Sequence, residues 1–153
     1  YPLRRQRQMC IRDRDEYGAT TRRPRRCGWL DGVILRYSAQ INGLTGIAIT
    51  ALDRLDTLPA VKLCTEYRLD GVTIPGPPAR TEEFLRVECT LETMPGWQVE
   101  TRHVRTFADL PENAKRYVRR VEEVAGVPVV LIGVGPGRNQ VIEVRSLPGR
   151  PTV

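Results

Sequence analysis

The sequence predicts an α/β fold built on a mostly parallel sheet with flanking helices. Three observations carry that expectation. Two segments place apolar residues at helical spacing, one run alternates with period two, and one run is continuously apolar and stops in glycines. A helix that feeds a doubly buried strand ending in glycines is the repeating unit of such folds, whose ligands sit at the carboxyl ends of the strands.

The first helical segment follows Trp29. Leu30, Val33, Ile34, Tyr37 and Ile41 share one face, and Asn42-Gly43 marks the end. Asp31 is expected in the first turn, where the helix dipole favours a carboxylate. Gly46 to Asp53 then reads as a short strand with a polar tip, and Pro59 breaks the chain. Val61 to Leu69 alternates and predicts a half-exposed strand, Asp70-Gly71 a turn, and Pro75 to Pro78 a loop. Residues 79–91 give no clear period. Glu92 to Trp97 reads as turn-rich.

Leu110, Ala114, Tyr117, Val118, Val121 and Val124 define the second helix, with Pro111 at its start and Gly126 beyond its end. Arg119, Arg120, Glu122 and Glu123 are assigned to its solvated face. Val127 to Gly135 is the buried strand, stopping at Gly135-Pro136-Gly137-Arg138, and Val141 to Val144 returns as a last short strand. No repeat or second domain is evident.

At 153 residues the chain suffices for one domain with a core, and 41% hydrophobic composition fits a globular protein. No apolar run approaches the ~18 residues of a membrane span, and the arginine-rich start is unlike a signal peptide, so a cytoplasmic location is expected. Cys10, Cys27, Cys64 and Cys89 lack zinc or redox spacing and are expected as free thiols. Tyr1 to Arg14 shows no period and is read as disordered or artefactual, leaving residues 15–153 as the folded unit.

Net charge is +6, with nine arginines among the first 26 residues and a balance of 15 basic and 15 acidic residues thereafter. A basic front on a neutral body argues against a nucleic-acid face, where basic residues spread and interleave with aromatics. The front is nevertheless particular in composition. Thr20, Thr21, Arg22, Arg23, Pro24, Arg25 and Arg26 combine hydroxyls with guanidinium forks just before a helix, a chemistry suited to carboxylate or phosphate. An RNA- or polyanion-binding module using this segment is the alternative reading. His103, Trp29 and Trp97 are taken as a bystander and two packing residues.

The run Glu16 to Asp31 closely resembles the substrate loop of adenylosuccinate synthetases. The resemblance continues through Asn42-Gly43 with Thr45-Gly46, Thr50 with Leu52-Asp53, Lys62-Leu63-Cys64 with Tyr67-Arg68, and Glu92 to Trp97. It closes on Gly126-Val127-Pro128 and Gly135-Pro136 with Arg138. It implies the C-terminal portion of a larger sheet related to P-loop NTPases.

It further implies a ligase that joins IMP and L-aspartate using GTP and magnesium in AMP biosynthesis, as a homodimer in its full-length form. By this resemblance Ala19, Thr20, Thr21, Arg22, Arg23, Pro24 and Arg25 would hold aspartate and IMP, with Arg25 shared with GTP. Ala51, Leu52, Asp53, Gly133, Val134 and Gly135 would hold the guanine end. Asp53 would accept from the ring N–H and exocyclic amine that adenine lacks as a pair.

Three positions depart from the family pattern: Arg22 replaces glycine, Ala51 replaces lysine and Gly137 replaces aspartate. Nothing resembles the family's phosphate loop, catalytic aspartate, catalytic histidine or magnesium ligands. The chain is therefore expected to be inactive alone, with no catalytic residue of its own.

Overall fold

The most extensively paired strand is β3 (Ala60–Leu69). On one side β5 (Glu88–Pro95) runs antiparallel to it from Ala60 opposite Pro95 to Arg68 opposite Glu88, with a register shift between Cys64 and Glu66. On the other side β3 pairs in parallel with β1 (Leu30–Asp31) and antiparallel with β4 (Val72–Ile74). A second sheet places β6 (Val129–Gly133) between β2 (Ile47–Ile49), which is parallel to it, and β7 (Val141–Glu143), which is antiparallel. The helices are α1 (Gly32–Ile41), the short α2 (Thr81–Phe84) and α3 (Glu112–Ala125), and a 3-10 turn covers Leu52–Leu55. This computed structural model describes Thr20, Thr21, Arg23 and residues 27–145. The disordered or artefactual reading of residues 1–14 lies outside the described residues.

The α/β class is as expected, and the sheets within the described residues are mixed rather than mostly parallel. The tight Asp70-Gly71 turn can return the chain only antiparallel, and so can the short connection from β6 to β7. Residues 88–95 correct the turn-rich reading of Glu92 to Trp97. Pro95 occupies the strand's last position, where its missing N–H costs little. The residues of β5 are mostly exposed, so no apolar alternation announced a strand.

Asp31 caps α1 instead of sitting inside its first turn. Its Oδ1 accepts from the Val33 and Ile34 N–H groups at 3.1 Å each, and its Oδ2 accepts from the Tyr67 hydroxyl. That contact ties the helix start to β3, beside buried Val33 and Cys64. β3 is correspondingly more buried than its alternation predicted, with Val61, Leu63, Cys64 and Tyr67 all inside.

α3 buries the predicted face, Ala114, Tyr117, Val118, Val121 and Val124, and ends at Gly126. Glu122 is not solvated as expected. Its Oε1 accepts from the Val129 N–H at 2.8 Å and pairs with Arg145 at 3.1 Å, so it anchors the start of β6. Arg120 instead bridges outward to Glu92 at 2.8 Å and Glu123 at 2.8 Å.

Trp97 packs in the main core as predicted, and its indole also donates to Asp56 Oδ1 at 2.7 Å. The other Asp56 oxygen accepts from the Thr101 N–H at 2.7 Å, and the Thr101 hydroxyl donates to the same carboxylate. Asp56 follows the 3-10 turn directly. The loop from residue 97 to 101 is thereby fastened onto that turn, and so is whatever follows it.

Three buried acids share one consequence. Burial, then the neighbouring Cys89 thiol and the Asp31 carboxylate, push the Cys64 thiol from its ordinary 9.0 to about 12. Burial pushes Tyr117 from 10.0 to about 12, and burial with the Asp31 contact raises Tyr67 further. The folded chain keeps these protons at pH values where the unfolded chain has lost them. Their contribution is complete below about pH 9 and is lost as pH climbs above it. The urea midpoint should hold steady from pH 7 to 8.5 and then fall; a level midpoint up to pH 11 would refute the linkage.

Candidate functional site

β2 and β6 are parallel neighbours, so their carboxyl ends share one edge. β2 leaves that edge through Thr50 and Ala51, and Ala51 adopts a left-handed backbone at φ 57°. The chain then turns into the 3-10 segment, burying Leu52 and bringing Asp53 inward. β6 ends on Gly133. A Cβ placed there would lie 3.6 Å from the Ala51 N and 3.6 Å from the Thr50 Cα, so the two strand ends are in van der Waals contact. Ala51, Leu52 and Asp53 therefore follow directly from the point where β2 meets Gly133.

Val134 and Gly135 continue from this point, but Val134 is fully buried and its N–H already donates to the Gln140 carbonyl at 2.9 Å. The open side of Gly135 is filled by the Gln140 side chain, whose Oε1 lies 2.5 Å from where a Cβ would stand. Gln140 also accepts from the Gly137 N–H at 2.8 Å and donates to the Arg102 carbonyl at 3.4 Å. Arg102 in turn donates from Nε to Asp53 Oδ2 at 3.0 Å. Gln140 and Arg102 thus connect the glycine loop to the acidic tip.

Neither residue was anticipated. Arg102 lies 49 positions from Asp53 and Gln140 a further 38 away, with no motif linking them. The fastening of Thr101 by Asp56 brings Arg102 over the turn.

The Asp53 side chain is 2% exposed, and among the described residues its buried Oδ1 has no hydrogen-bond partner. A buried acceptor left unmade costs about 1–3 kcal/mol, so a site that retains one is suited to a donor arriving with a ligand. Two cavities flank the tip. A polar one of 520 Å³ is lined by Asp53, Asp56, Gln98, Glu100 and Arg102. An apolar one of 610 Å³ is lined by Leu30, Leu35, Ile49, Ala51, Leu52 and Tyr117. Gln98 has φ 48°, so two non-glycine left-handed residues border this region. Backbone strain of that kind concentrates at functional sites.

The basic loop is described only in part. Thr20, Thr21 and Arg23 are exposed, and the Arg23 N–H donates to Thr21 Oγ1 at 3.5 Å. Ala19, Arg22, Pro24, Arg25 and Arg26 lie outside the described residues, as does most of the segment on which a polyanion-binding reading would rest. The loop does not feed a bare helix N-terminus. β1 intervenes, and Asp31 already occupies the Val33 and Ile34 N–H groups of α1.

His103 is exposed, and Trp29 is partly buried against the main core. Among the described residues, Cys27, Cys64 and Cys89 form no disulfide. Among the described residues no helix is long and apolar enough to cross a membrane.

Fold and site together define an α/β protein with a candidate ligand site at the carboxyl ends of adjacent parallel strands. The chain belongs to the adenylosuccinate synthetase family, whose model matches residues 4–142. The match takes in most of the stretch before Asp15 that the sequence pattern set apart.

The chain is 53% identical to an adenylosuccinate synthetase of Thermomicrobium roseum over 133 residues, 86% of this chain and 31% of that protein. It is 55% identical to that of Myxococcus xanthus over 128 residues, 84% of this chain and 29% of the relative. A fully ligated adenylosuccinate synthetase structure from Plasmodium falciparum superimposes with a TM-score of 0.87 at 36% identity, covering 92% of this chain and 34% of that one. The chain spans about a third of the length of the relatives it matches.

Proposed function

We propose that this chain supplies the base-reading and aspartate-binding portion of an adenylosuccinate synthetase, its C-terminal third, acting in AMP biosynthesis. The reaction joins IMP and L-aspartate with hydrolysis of GTP. The observation that carries the reading is Asp53 Oδ1, a buried acceptor without a partner among the described residues, beside the glycine end of β6 in a chain of this family.

Guanine presents a ring N–H and an exocyclic amine side by side, and an ionised carboxylate accepts both. Adenine presents a lone pair at the ring position, which the carboxylate repels. Gly133 admits the base close to the main chain, while Ala51 and Leu52 offer it the apolar side. Val134 and Gly135 serve through backbone shape, since the Val134 N–H is already committed to Gln140.

Thr20, Thr21 and Arg23, with Ala19, Arg22, Pro24 and Arg25, form the aspartate and IMP loop in this reading. Guanidinium groups grip carboxylates through paired, charge-assisted bonds. Magnesium, when bound, offsets the charge of the GTP phosphates and is held by the remainder of the enzyme. The chain alone is inactive, because the base that activates IMP and the phosphate loop also lie in that remainder. The assembled enzyme is a cytoplasmic homodimer.

The test transplants residues 16–145 into the Thermomicrobium roseum relative in place of the matching part. Adenylosuccinate formation from IMP, aspartate and GTP should persist with kcat within about tenfold of the relative. A folded hybrid that binds IMP but forms no adenylosuccinate would defeat the proposal.

A further inference from the structure

We propose that Arg102 is the positioning residue of the base site: its ion pair holds the Asp53 carboxylate with Oδ1 presented to the ligand, and so sets the preference for guanine over adenine. The inference rests on the reading of Asp53 given above and goes beyond it, because it places part of the specificity on a residue that need not touch the base.

An ionised carboxylate that is 2% exposed needs a compensating charge, and Arg102 supplies it through Nε at 3.0 Å from Oδ2. Among the described residues no donor reaches Oδ1. The carboxylate is therefore held at one oxygen, while the other is buried and has no partner among the described residues. The Arg102 side chain is itself 51% exposed, so solvent weakens the pair as a source of stability. Its value lies in orientation.

Arg102 is in turn held from two directions. The preceding Thr101 is fully buried and donates twice to Asp56, through its N–H at 2.7 Å and its hydroxyl at 3.0 Å. The Arg102 carbonyl accepts from Gln140 Nε2 at 3.4 Å and from Arg105 Nη1 at 2.7 Å. Gln140 is also the residue that fills the glycine loop after β6. One arginine thus sits where the acidic tip and the glycine strand end are joined, and its guanidinium points back at Asp53, a buried carboxylate with an oxygen that has no partner among the described residues.

Without Arg102 the Asp53 carboxylate keeps its place on the 3-10 turn and loses its fixed rotamer and its neutralising charge. An unheld carboxylate rotates toward the wet cavity lined by Gln98 and Glu100, and the discrimination that depends on its lone pairs fades.

The experiment titrates the 153-residue chain and its R102A, R102Q, R102K and D53N variants with GDP and with ADP, reading both dissociation constants by protein-observed NMR. The amide spectrum reports at the same time whether each variant keeps the fold. The unaltered chain should favour GDP over ADP by about tenfold, and D53N should erase that preference.

R102A and R102Q should both reduce the preference to about twofold, and R102K should restore it to about fivefold, a rescue that a purely structural role would not produce. If R102A and R102Q keep the tenfold preference while D53N loses it, Asp53 still reads the base and the role given to Arg102 is overturned. If the unaltered chain binds GDP and ADP alike, the guanine site and the inference drawn on it both fall.

Discussion

Replacing Gly96 with alanine should cost this chain a large share of its stability. Gly96 follows the last residue of β5 and passes directly over the segment that leads into β3. A Cβ at this position would stand 1.8 Å from the Leu58 carbonyl oxygen, 2.9 Å from the Leu58 carbonyl carbon and 3.0 Å from the Pro59 carbonyl carbon. These are backbone atoms, so no side-chain rotation relieves the overlap.

The surroundings resist displacement. The Gly96 N–H donates to the Pro59 carbonyl at 2.9 Å, and the Gly96 carbonyl accepts from Asn113 of α3 at 2.8 Å. Leu58 and Trp97 are core residues on either side. A shift large enough for a methyl group would strain the pairing of Ala60 with Pro95 and the indole bond to Asp56 together.

Overpacking usually costs about 1–3 kcal/mol, and this site lies at or above the upper end of that range. Against a typical total of about 5–15 kcal/mol, the urea midpoint should fall by about 1 M or more with an unchanged slope. A fall below about 0.3 M would mean that the Leu58-Pro59 segment yields freely, and the described packing would be wrong there.

The parts of the fold legible in the sequence are those whose signals are local. α1 and α3 keep helical spacing and proper ends, Asp31 before one and Gly126 after the other, so both boundaries fall within two residues of expectation. β6 and β7 were legible from their apolar runs.

β5 was hidden, because its residues are mostly exposed and its membership of the sheet depends on β3, about 25 residues distant, as much as on its own pattern. Glu122 was misread for a related reason. Adjacent glutamates on an amphipathic helix look like solvated charge until the next strand brings the Val129 N–H to one of them. Asp31 was placed one step too far inside its helix, since a side-chain cap depends on the backbone angles of the cap residue.

The candidate site divides in the same way. Asp53 and Gly133 were marked through the resemblance to the family's motifs, and parallel pairing of β2 with β6 brings the ends of their strands together. Arg102 and Gln140 were not, since their link to Asp53 passes through Thr101, Asp56 and a loop of irregular backbone. Sequence pattern records which residues terminate elements. It does not record which loops those termini will meet.

The second large effect concerns Asp53 itself. Removing its carboxylate deletes the buried acceptor at Oδ1 and leaves Arg102 without its partner, while Leu52 and Leu55 keep the 3-10 turn packed against the core. The loss should therefore fall on recognition of the base more than on the fold. A site built to pair with donor groups rejects ligands that cannot fill it far more strongly than an apolar pocket rejects a shape.

Asp53→Ala in the hybrid enzyme carrying this chain should lower kcat/KM for GTP by about 100-fold, or about 2.7 kcal/mol, chiefly through KM. The KM values for IMP and aspartate should stay within about twofold, because those substrates are assigned to the arginine loop. The decisive measurement is thus the set of three KM values of that one variant. A selective rise for GTP is the result predicted here; an unchanged KM for GTP, or an equal rise for aspartate, would contradict the assignment of Asp53 as the reader of the base.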